Sequence, residues 1–394
     1  MKRGQERFVT MGLSRIFRKH AIKVIGILCS IYIWMYVCMT GEICSTDSCE
    51  GNIMNFRQNN FVNKNTKKVL VWTKYFFMDW ANSVGTNMSR SKYSCSVTSD
   101  RSELETADAV LFHFIDLWFW ETVPRFRSPN QIWILYNMEA PPHLHFTGVP
   151  WIRAFNWTMT YRTDATIHSP YGELVPLSHA EEAVAMVTYG NTDFSLNKTK
   201  MAVAVVSDCV DDVQRYRYIQ ELKKYIDIDY FGGCGDLTCP RTAEAECNSK
   251  KYRFRIAFEN ANCKDYVTEK FWNSLQQESV PIVNWKSNQG GHIPKSSYIN
   301  IHDFNSAEEL GKYLIILSTN KKLYNQYFSW KTKYKLDNEE FYAFKYLCDA
   351  LHAPRHAQTV LDPNKWLRTD ICRTWSIKEV VRRHWDRLMF DMGF

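Results

Sequence analysis

One stretch of the sequence decides the fold: residues 253–283 read RFRIAFENANCKDYVTEKFWNSLQQESVPIV. Residues 253–258 have the apolar character of a strand, Thr268 is placed as the N-cap of a helix, and residues 279–283 return to a strand. A strand, a helix and a strand in succession predict a parallel βαβ unit. Because ligands of such sheets bind at the carboxyl ends of strands, the loop after Phe258 is the first place to look for chemistry.

The same alternation extends in both directions from this unit. Apolar runs of strand type lie at 69–72, 109–114, 131–136, 201–206 and 226–231. A helix with Asp211 or Asp212 as its N-cap is predicted between the last two runs, because apolar residues recur there at spacings of three and four: Val213, Tyr216, Ile219, Leu222 and Ile226. Strands that alternate with helices predict parallel sheets, and the polar stretch at 190–200 divides them into two doubly wound α/β domains.

The N-terminal region has the pattern of a membrane anchor. Residues 24–39 carry no formal charge, and extension back to Ala21 approaches the about 20 residues that cross a bilayer. A cleaved signal peptide is the alternative, but residues 40–42, Thr-Gly-Glu, are a weak cleavage site. Because the basic residues precede the apolar run, we expect the N-terminus in the cytoplasm and the body in the lumen.

The predicted order of segments follows from these patterns. It comprises a cytoplasmic tail (1–20), a signal-anchor helix (21–40), an Asn-rich stem (41–66), two α/β domains (67–190 and 191–365) and a tail (366–394) expected to form an amphipathic helix on the body.

Charge and aromatic content narrow the function classes. The net charge is +7, but the first 40 residues hold seven basic side chains against one acid. The rest of the chain is therefore nearly neutral, and no nucleic-acid partner is expected. Aromatic residues make up 15% of the chain, which suits stacking on sugars, although an aromatic core accounts for most of them.

Cysteines and sequons agree with a lumenal body. Ten of the twelve cysteines lie outside the predicted span: 44, 49, 95, 209, 234, 239, 247, 263, 348 and 372. An even set in an oxidising compartment predicts disulfides. Zinc ligands at 234–263 are the alternative, but the spacing contains no Cys-x2-Cys pair. Three sequons predict N-glycans at Asn87, Asn156 and Asn197.

Three groups of residues could carry chemistry, each at the end of a predicted strand. Lys270 lies in a first helical turn, where the helix dipole disfavours cations, and a bound diphosphate would resolve that conflict. Arg215 occupies the equivalent place after the strand at 201–206, with a solvated helix charge as the alternative. Glu139 follows the strand at 131–136 and could act as a general base, with a salt bridge or N-cap as the alternative. Glu259, beside the loop of Lys270, is a candidate hydroxyl-binding group.

Other catalytic templates are missing from the sequence. It contains no P-loop, no Gly-x-Ser-x-Gly elbow and no His-Glu-x-x-His motif. Asp227-Ile-Asp229 has the spacing of a metal grip but lies in a predicted strand, so no metal ligands are assigned. Without a metal, cationic side chains such as Arg215 and Lys270 would have to neutralise a leaving diphosphate.

At these residues the chain resembles the alpha-1,3-fucosyltransferases, glycosyltransferase family 10, and in particular invertebrate members that act on N-glycans. The sequence Phe258-Glu-Asn-x4-Asp-Tyr-x-Thr-Glu-Lys270 is similar to the family signature. Supporting similarities lie at 137–141, 155–164, 170–172 and 298–304. The resemblance covers roughly residues 66–360.

The resemblance implies a GT-B fold, in which an acceptor domain and a GDP-fucose domain face each other across a cleft. It implies inverting transfer of L-fucose from GDP-fucose, with Glu139 taking the proton from O3 of a GlcNAc residue. The acceptor is a GlcNAc of the N-glycan core, a distal GlcNAc or N-acetyllactosamine, with His143 as a candidate contact. The residues that fall on donor-binding positions are Arg215, Asn260, Tyr266, Glu269 and Lys270.

The resemblance also implies a Golgi membrane enzyme of type II topology, with no tightly bound cofactor and with stimulation by Mn²⁺ left open. The chain departs from the family pattern at residues 207–209, Ser-Asp-Cys, where many members have Ser-Asn-Trp. Asp208 would repel a diphosphate unless its side chain turns away. A catalytically inactive glycan-binding protein on the same scaffold and a transferase for another nucleotide sugar are the alternative functions.

Overall fold

The computed structural model describes residues 66–117, 121, 123–144, 151–209, 213–240, 247, 250–286, 293–339, 341–353, 362–368 and 372. All of them belong to one compact unit of the chain. The predicted cytoplasmic tail and anchor and all of the predicted stem except its last residue, Thr66, lie outside these ranges, as do residues 373–394 of the predicted terminal helix. Within the ranges, the helices are too short or too polar to cross a bilayer.

The first half of the body forms a six-stranded parallel sheet. Its order is β2-β1-β3-β4-β5-β6. The strands are β1 (Thr66–Val71), β2 (Ser94–Thr98), β3 (Ala109–His113), β4 (Ile132–Asn137), β5 (Trp157–Thr160) and β6 (Ile167–His168). All five residues of β3 are buried, as expected for a strand covered on both faces.

The second half forms a five-stranded parallel sheet of the same type. Its order is β12-β11-β10-β8-β9, so successive strands are added on one side of β8 and then on the other, and the strand order reverses between β8 and β10. The strands are β8 (Lys200–Val205), β9 (Ile228–Phe231), β10 (Tyr252–Ile256), β11 (Val280–Val283) and β12 (Ile299–Asn300). Ligands of doubly wound sheets bind at such a reversal, which directs attention to the ends of β8 and β10.

Helices cover the sheets, and a small antiparallel pair completes the body. The helices are α1 (Ala81–Met88), α2 (His179–Tyr189), α3 (Arg215–Leu222), α4 (Glu269–Gln276), α5 (Ala307–Thr319), α6 (Lys321–Gln326), α7 (Phe344–His352) and α8 (Pro363–Arg368). Strands β7 (Glu173–Pro176) and β13 (Tyr334–Asp337) pair in antiparallel fashion. The predicted alternation of strands and helices and the two parallel sheets are thus confirmed.

Helix α3 differs from its sequence prediction. It begins at Arg215, and its N-cap is Gln214 in a left-handed conformation with φ of 58°. The prediction of Asp211 or Asp212 as the cap was therefore wrong, and both aspartates lie outside the described residues. The apolar spacing also extended the helix too far in both directions. Val213 precedes its first residue, and Ile226, four residues after Leu222, packs in the core from the following loop.

The described cysteines form four disulfides, which excludes the zinc alternative. The pairs are Cys95–Cys348, Cys209–Cys234, Cys239–Cys247 and Cys263–Cys372. Of the four cysteines in the zinc alternative, Cys239 pairs with Cys247 and Cys234 pairs with Cys209, which follows β8. The fourth, Cys263, pairs with Cys372 in the C-terminal segment. Cys44 and Cys49 lie outside the described ranges.

The three sequons occupy different environments. Asn87 is buried in α1, where its amide donates to Ser83 O at 3.0 Å. Asn156 is also buried, and its Oδ1 accepts from the Trp133 amide at 2.8 Å and from Arg127. Asn197 alone of the three is exposed. The folded chain therefore argues against glycans on Asn87 and Asn156, because attachment would remove these side chains from the interior.

Candidate active site

The carboxyl end of β10 and the start of α4 are joined through Glu259. This carboxylate is completely buried, and its two oxygens accept from the Thr268 amide and the Thr268 hydroxyl, both at 2.7 Å. Thr268 occupies the N-cap position, as predicted, but its hydroxyl is used by Glu259. Glu259 therefore fixes the helix start, and its complete burial argues against the prediction that it binds a ligand hydroxyl.

Lys270 lies in the first turn of α4 and is held by anionic neighbours. Its Nζ is 2.9 Å from Glu269 Oε1 and 3.7 Å from Glu259 Oε2, and it donates to Thr268 Oγ1 at 3.0 Å. Burial favours a lower pKa for Lys270, but the charges of Glu259 and Glu269 outweigh burial and raise the pKa above its ordinary value. The ammonium is therefore a permanent positive charge at the strand ends.

Arg215 provides a second cation at the same edge of the second sheet. It is the first residue of α3 and is 4% exposed. Its Nη1 donates to Phe258 O at 3.3 Å, so a guanidinium on the helix that follows β8 contacts the backbone just after β10. Arg215 also acts electrostatically on Lys270 and opposes the rise in that pKa. Two cations thus lie near one another at helix starts, where the dipoles disfavour positive charge.

The loop between Glu259 and α4 presents polar groups beside these cations. Asn260 is half-buried, and its buried Oδ1 accepts no hydrogen bond from any residue in the described ranges. Tyr266 is buried, and its ring lies against Tyr161 with centroids 4.9 Å apart. Glu269 remains half-exposed beside Lys270. An unsatisfied buried acceptor is expensive, so Asn260 is well suited to bind a ligand hydroxyl or amine.

Glu139 occupies the loop after β4 in the first sheet. Its carbonyl oxygen accepts from Asn137 Nδ2 at 2.8 Å, which holds the backbone of the loop. Burial raises the pKa of the Glu139 carboxyl above its usual value, while the charge of Lys270 opposes the rise and that of Glu269 adds to it. The carboxylate is therefore a stronger base than an ordinary glutamate, as a general base requires.

The charged residues of the two sheets act on one another and form one site. Glu139 responds to the charges of Lys270 and Glu269, and Lys270 responds to that of Arg215, although these residues follow strands of two different sheets. The buried residues Met138, Ala140, Ala261 and Tyr266 belong to a common apolar cluster, so the Glu139 loop and the Tyr266 loop share one core. The fold thus places the Glu139 carboxyl, whose pKa is raised by burial, within the electrostatic influence of Lys270, and Lys270 within that of Arg215.

His143 follows the Glu139 loop and belongs to a separate short helix. It ends the short 3-10 helix Pro141–His143, directly after the Glu139 loop. The next residue, Leu144, accepts at its carbonyl from Arg368 Nη2 at 3.0 Å, so α8 holds this segment. Trp366, the first residue of the predicted terminal tail, lies in α8, and the Arg162 guanidinium lies 3.9 Å from its ring centroid.

Sequence reasoning missed two residues that build the site. Asn284 follows β11; its Oδ1 accepts from the Glu259 amide at 2.9 Å and its Nδ2 donates to the Glu259 carbonyl at 3.1 Å. Tyr171 donates to Met138 O at 2.6 Å. No pattern in the sequence marks Asn284 as a support of Glu259, and none marks a contact between Tyr171 and Met138.

This site has two cations at the strand ends of one parallel sheet and, beside them, a carboxyl of raised pKa at the strand ends of another. Such an arrangement fits the class of nucleotide-sugar transferases. Two family models match the chain: "Fucosyltransferase, N-terminal" at residues 64–172 and "Glycosyltransferase family 10 (fucosyltransferase) C-term" at residues 195–366. The chain belongs to this family of fucosyltransferases.

Individual relatives agree with this assignment. The chain is 35% identical to Drosophila melanogaster glycoprotein 3-alpha-L-fucosyltransferase A, over 74% of this chain and 58% of that protein. It is 30% identical to Drosophila melanogaster alpha-(1,3)-fucosyltransferase C over 74% of each chain. It is 34% identical to Bos taurus 4-galactosyl-N-acetylglucosaminide 3-alpha-L-fucosyltransferase 9, over 69% of this chain and 74% of that protein.

Among solved structures, the chain is similar to a crystal structure of an alpha1,3-fucosyltransferase with GDP-fucose. The TM-score is 0.46 at 15% identity, and the match covers 77% of this chain and 96% of that one.

Proposed function

We propose that the protein is an inverting transferase that moves L-fucose from GDP-fucose to O3 of a GlcNAc residue in protein glycosylation. Family membership supports fucosyl transfer, and the names of the relatives describe 3-alpha-L-fucosyl transfer to glycoproteins and to N-acetylglucosaminides. The acceptor is a GlcNAc of the N-glycan core, a distal GlcNAc or N-acetyllactosamine. The two parallel sheets correspond in this proposal to the two lobes of a GT-B fold.

In the proposed reaction, a Glu139 carboxylate oxygen accepts the proton of the GlcNAc 3-hydroxyl. O3 forms a bond to the anomeric carbon of fucose from the face opposite the phosphate. The bond between that carbon and the phosphate oxygen breaks, and its electron pair leaves with GDP, so the configuration inverts. Arg215 and Lys270 neutralise the charge that develops on the diphosphate, a fixed electrostatic stabilisation expected to supply much of the rate enhancement.

The binding roles divide between the two strand edges. Asn260, Tyr266 and Glu269 contact the donor beside the cations, and His143 contacts the acceptor beside Glu139. The observation that carries the proposal is the common apolar cluster of the Glu139 loop and the Tyr266 loop, because it brings the Glu139 carboxyl under the influence of the Lys270 charge. A base in a lumen near neutral pH must be ionised yet retain basicity, which the raised pKa of Glu139 provides.

Glu139→Gln tests the base directly, with transfer from GDP-fucose to a GlcNAc-terminated N-glycan as the assay. We expect kcat to fall by about 10²–10⁴-fold, as for loss of a general base, with the Kd for GDP unchanged. Burial raises the pKa of Glu139 in the folded protein, so its ionised form costs stability at neutral pH. The variant should therefore melt no lower than the wild type.

Asp229→Asn is the matched control, because Asp229 is a half-buried carboxylate that accepts from Tyr252 at the amino end of the second sheet, away from the strand ends that form the site. It should retain wild-type kcat. Near-normal turnover by Glu139→Gln would remove Glu139 as the base. Product analysis by mass spectrometry on a glycan array would identify the acceptor and the linkage.

We propose that the protein resides in the Golgi membrane with a lumenal body. The apolar run at 24–39 behind a basic cluster supports a type II signal-anchor, and the disulfides support an oxidising compartment. Protease treatment of intact microsomes tests the topology: the body should be protected until detergent is added. Activity after EDTA treatment, with and without added Mn²⁺, tests whether Arg215 and Lys270 suffice for the diphosphate.

A further inference from the structure

The segment Pro170-Tyr171-Gly172 lies between the Glu139 loop and the donor helix α4. On one side, the Tyr171 hydroxyl donates to the carbonyl of Met138, the residue before Glu139, at 2.6 Å. On the other side, Gly172 lies against the ring of Trp272 in α4, so closely that a Cβ at position 172 would be 2.5 Å from Trp272 Cδ2. One three-residue segment therefore touches both halves of the proposed site.

The Tyr171 ring joins the same two halves. It packs against the apolar cluster that contains Met138 and Tyr266, and also against the cluster that contains Phe271 and Trp272 of α4. Its centroid is 6.4 Å from that of Tyr266 in an edge-to-face arrangement. Any movement of α4 or of the Tyr266 loop on donor binding would therefore be transmitted to the Tyr171 side chain.

The backbone around Glu139 depends on two side-chain hydrogen bonds. Asn137 Nδ2 donates to Glu139 O at 2.8 Å, and Tyr171 donates to Met138 O at 2.6 Å. Asn137 belongs to the end of β4 itself, so its hydrogen bond is internal to the loop. The bond from Tyr171 comes from outside the loop, and it sets where the loop lies relative to α4.

We propose that Tyr171 is a positioning residue, which holds Glu139 in register with the donor helix by anchoring the Met138 carbonyl. The inference rests on the proposed role of Glu139 as the base. Proton transfer demands that the carboxylate oxygen meet the acceptor hydroxyl within hydrogen-bond reach, and a misplacement of about 1 Å can cost about 10²-fold in rate. Loss of one anchor therefore lowers kcat without removing any group that touches the donor.

Tyr171→Phe in the full-length protein tests this inference, since it removes only the hydroxyl. We expect kcat to fall by about 10- to 100-fold, while the Kd for GDP stays within about twofold. The acidic limb of the kcat/KM profile should move to lower pH. Burial is the main cause of the raised pKa of Glu139, and a looser loop admits water to the carboxylate.

Tyr252→Phe is the matched control, because its hydroxyl donates to Asp229 Oδ2 at 2.6 Å at the amino ends of β9 and β10, the opposite edge of the sheet from the proposed site. It should leave kcat and the pH profile unchanged. Three outcomes would overturn the positioning role of Tyr171. They are wild-type kcat in Tyr171→Phe, a lower kcat with an unmoved acidic limb, or a higher acceptor KM with unchanged kcat, which would make Tyr171 an acceptor contact.

Glu139→Gln, assayed in parallel, separates this inference from the proposed function. If Glu139→Gln loses turnover and Tyr171→Phe does not, only the positioning role fails. If Glu139→Gln retains turnover, the assignment of Glu139 as the base fails, and the positioning role fails with it.

Discussion

Replacement of Lys270 by methionine probes the diphosphate site most directly. Methionine keeps an unbranched side chain of similar length and removes the charge. In the free protein, Lys270 lies 2.9 Å from Glu269 Oε1 and 3.7 Å from the buried Glu259 Oε2. Without the ammonium, both carboxylates would face a bound diphosphate, and Arg215 alone would offset them. Binding therefore loses an attraction and gains a repulsion.

The size of the effect follows from burial. Loss of one partner of a buried, hydrogen-bonded charge pair at an interface costs about 2–5 kcal/mol. The Lys270 side chain is 28% exposed, so solvent screens part of its interaction and the lower part of that range applies. We expect about 2–3 kcal/mol, which is about a 30- to 150-fold increase in the Kd for GDP.

Isothermal titration of the full-length protein with GDP measures this increase. Lys270→Arg should bind much more tightly than Lys270→Met, because it keeps the charge. Lys312→Met is the control for loss of a lysine, since Lys312 pairs with Glu308 on the exposed face of α5. A folded Lys270→Met protein whose Kd for GDP lies within twofold of the wild type would refute the phosphate-binding role.

Two further predictions follow from the same geometry. Gly172→Ala should lower the free energy of unfolding by about 2 kcal/mol and weaken GDP binding, because the added Cβ would displace the Trp272 ring and with it α4. An unchanged Tm together with an unchanged Kd for GDP would contradict this. The wild-type kcat/KM should fall on acidification with an apparent pKa above the usual value of about 4.3 for glutamate, because Glu139 acts as the carboxylate and burial raises its pKa. An apparent pKa at or below that value would show that another group limits the rate.

Local patterns in the sequence were sufficient for the architecture. The apolar runs at 109–114 and 279–283 became β3 and β11, and Thr268 was placed correctly at the start of α4. A strand buried on both faces must be apolar throughout, and a helix with one buried face repeats at three and four residues, so both leave a local mark. Helix ends leave a weaker mark, as the misplaced cap of α3 shows.

The sequence also located the candidate residues, because each directly follows a strand and the carboxyl ends of parallel strands form the ligand edge of a sheet. Their roles depended on the resemblance to a family. Glu259 shows the limit of that reasoning: its type and position suggested a ligand contact, whereas burial and two hydrogen bonds from Thr268 make it a structural support.

Residues distant in the chain could be joined only by tertiary structure. The sequence predicted disulfides but not that Cys263 pairs with Cys372, 109 residues away. It likewise held no sign that Tyr171 anchors Met138 or that Lys270 acts on Glu139. Such contacts depend on how the sheets and loops pack, and packing is set by the shapes of many side chains together, so no short pattern records it.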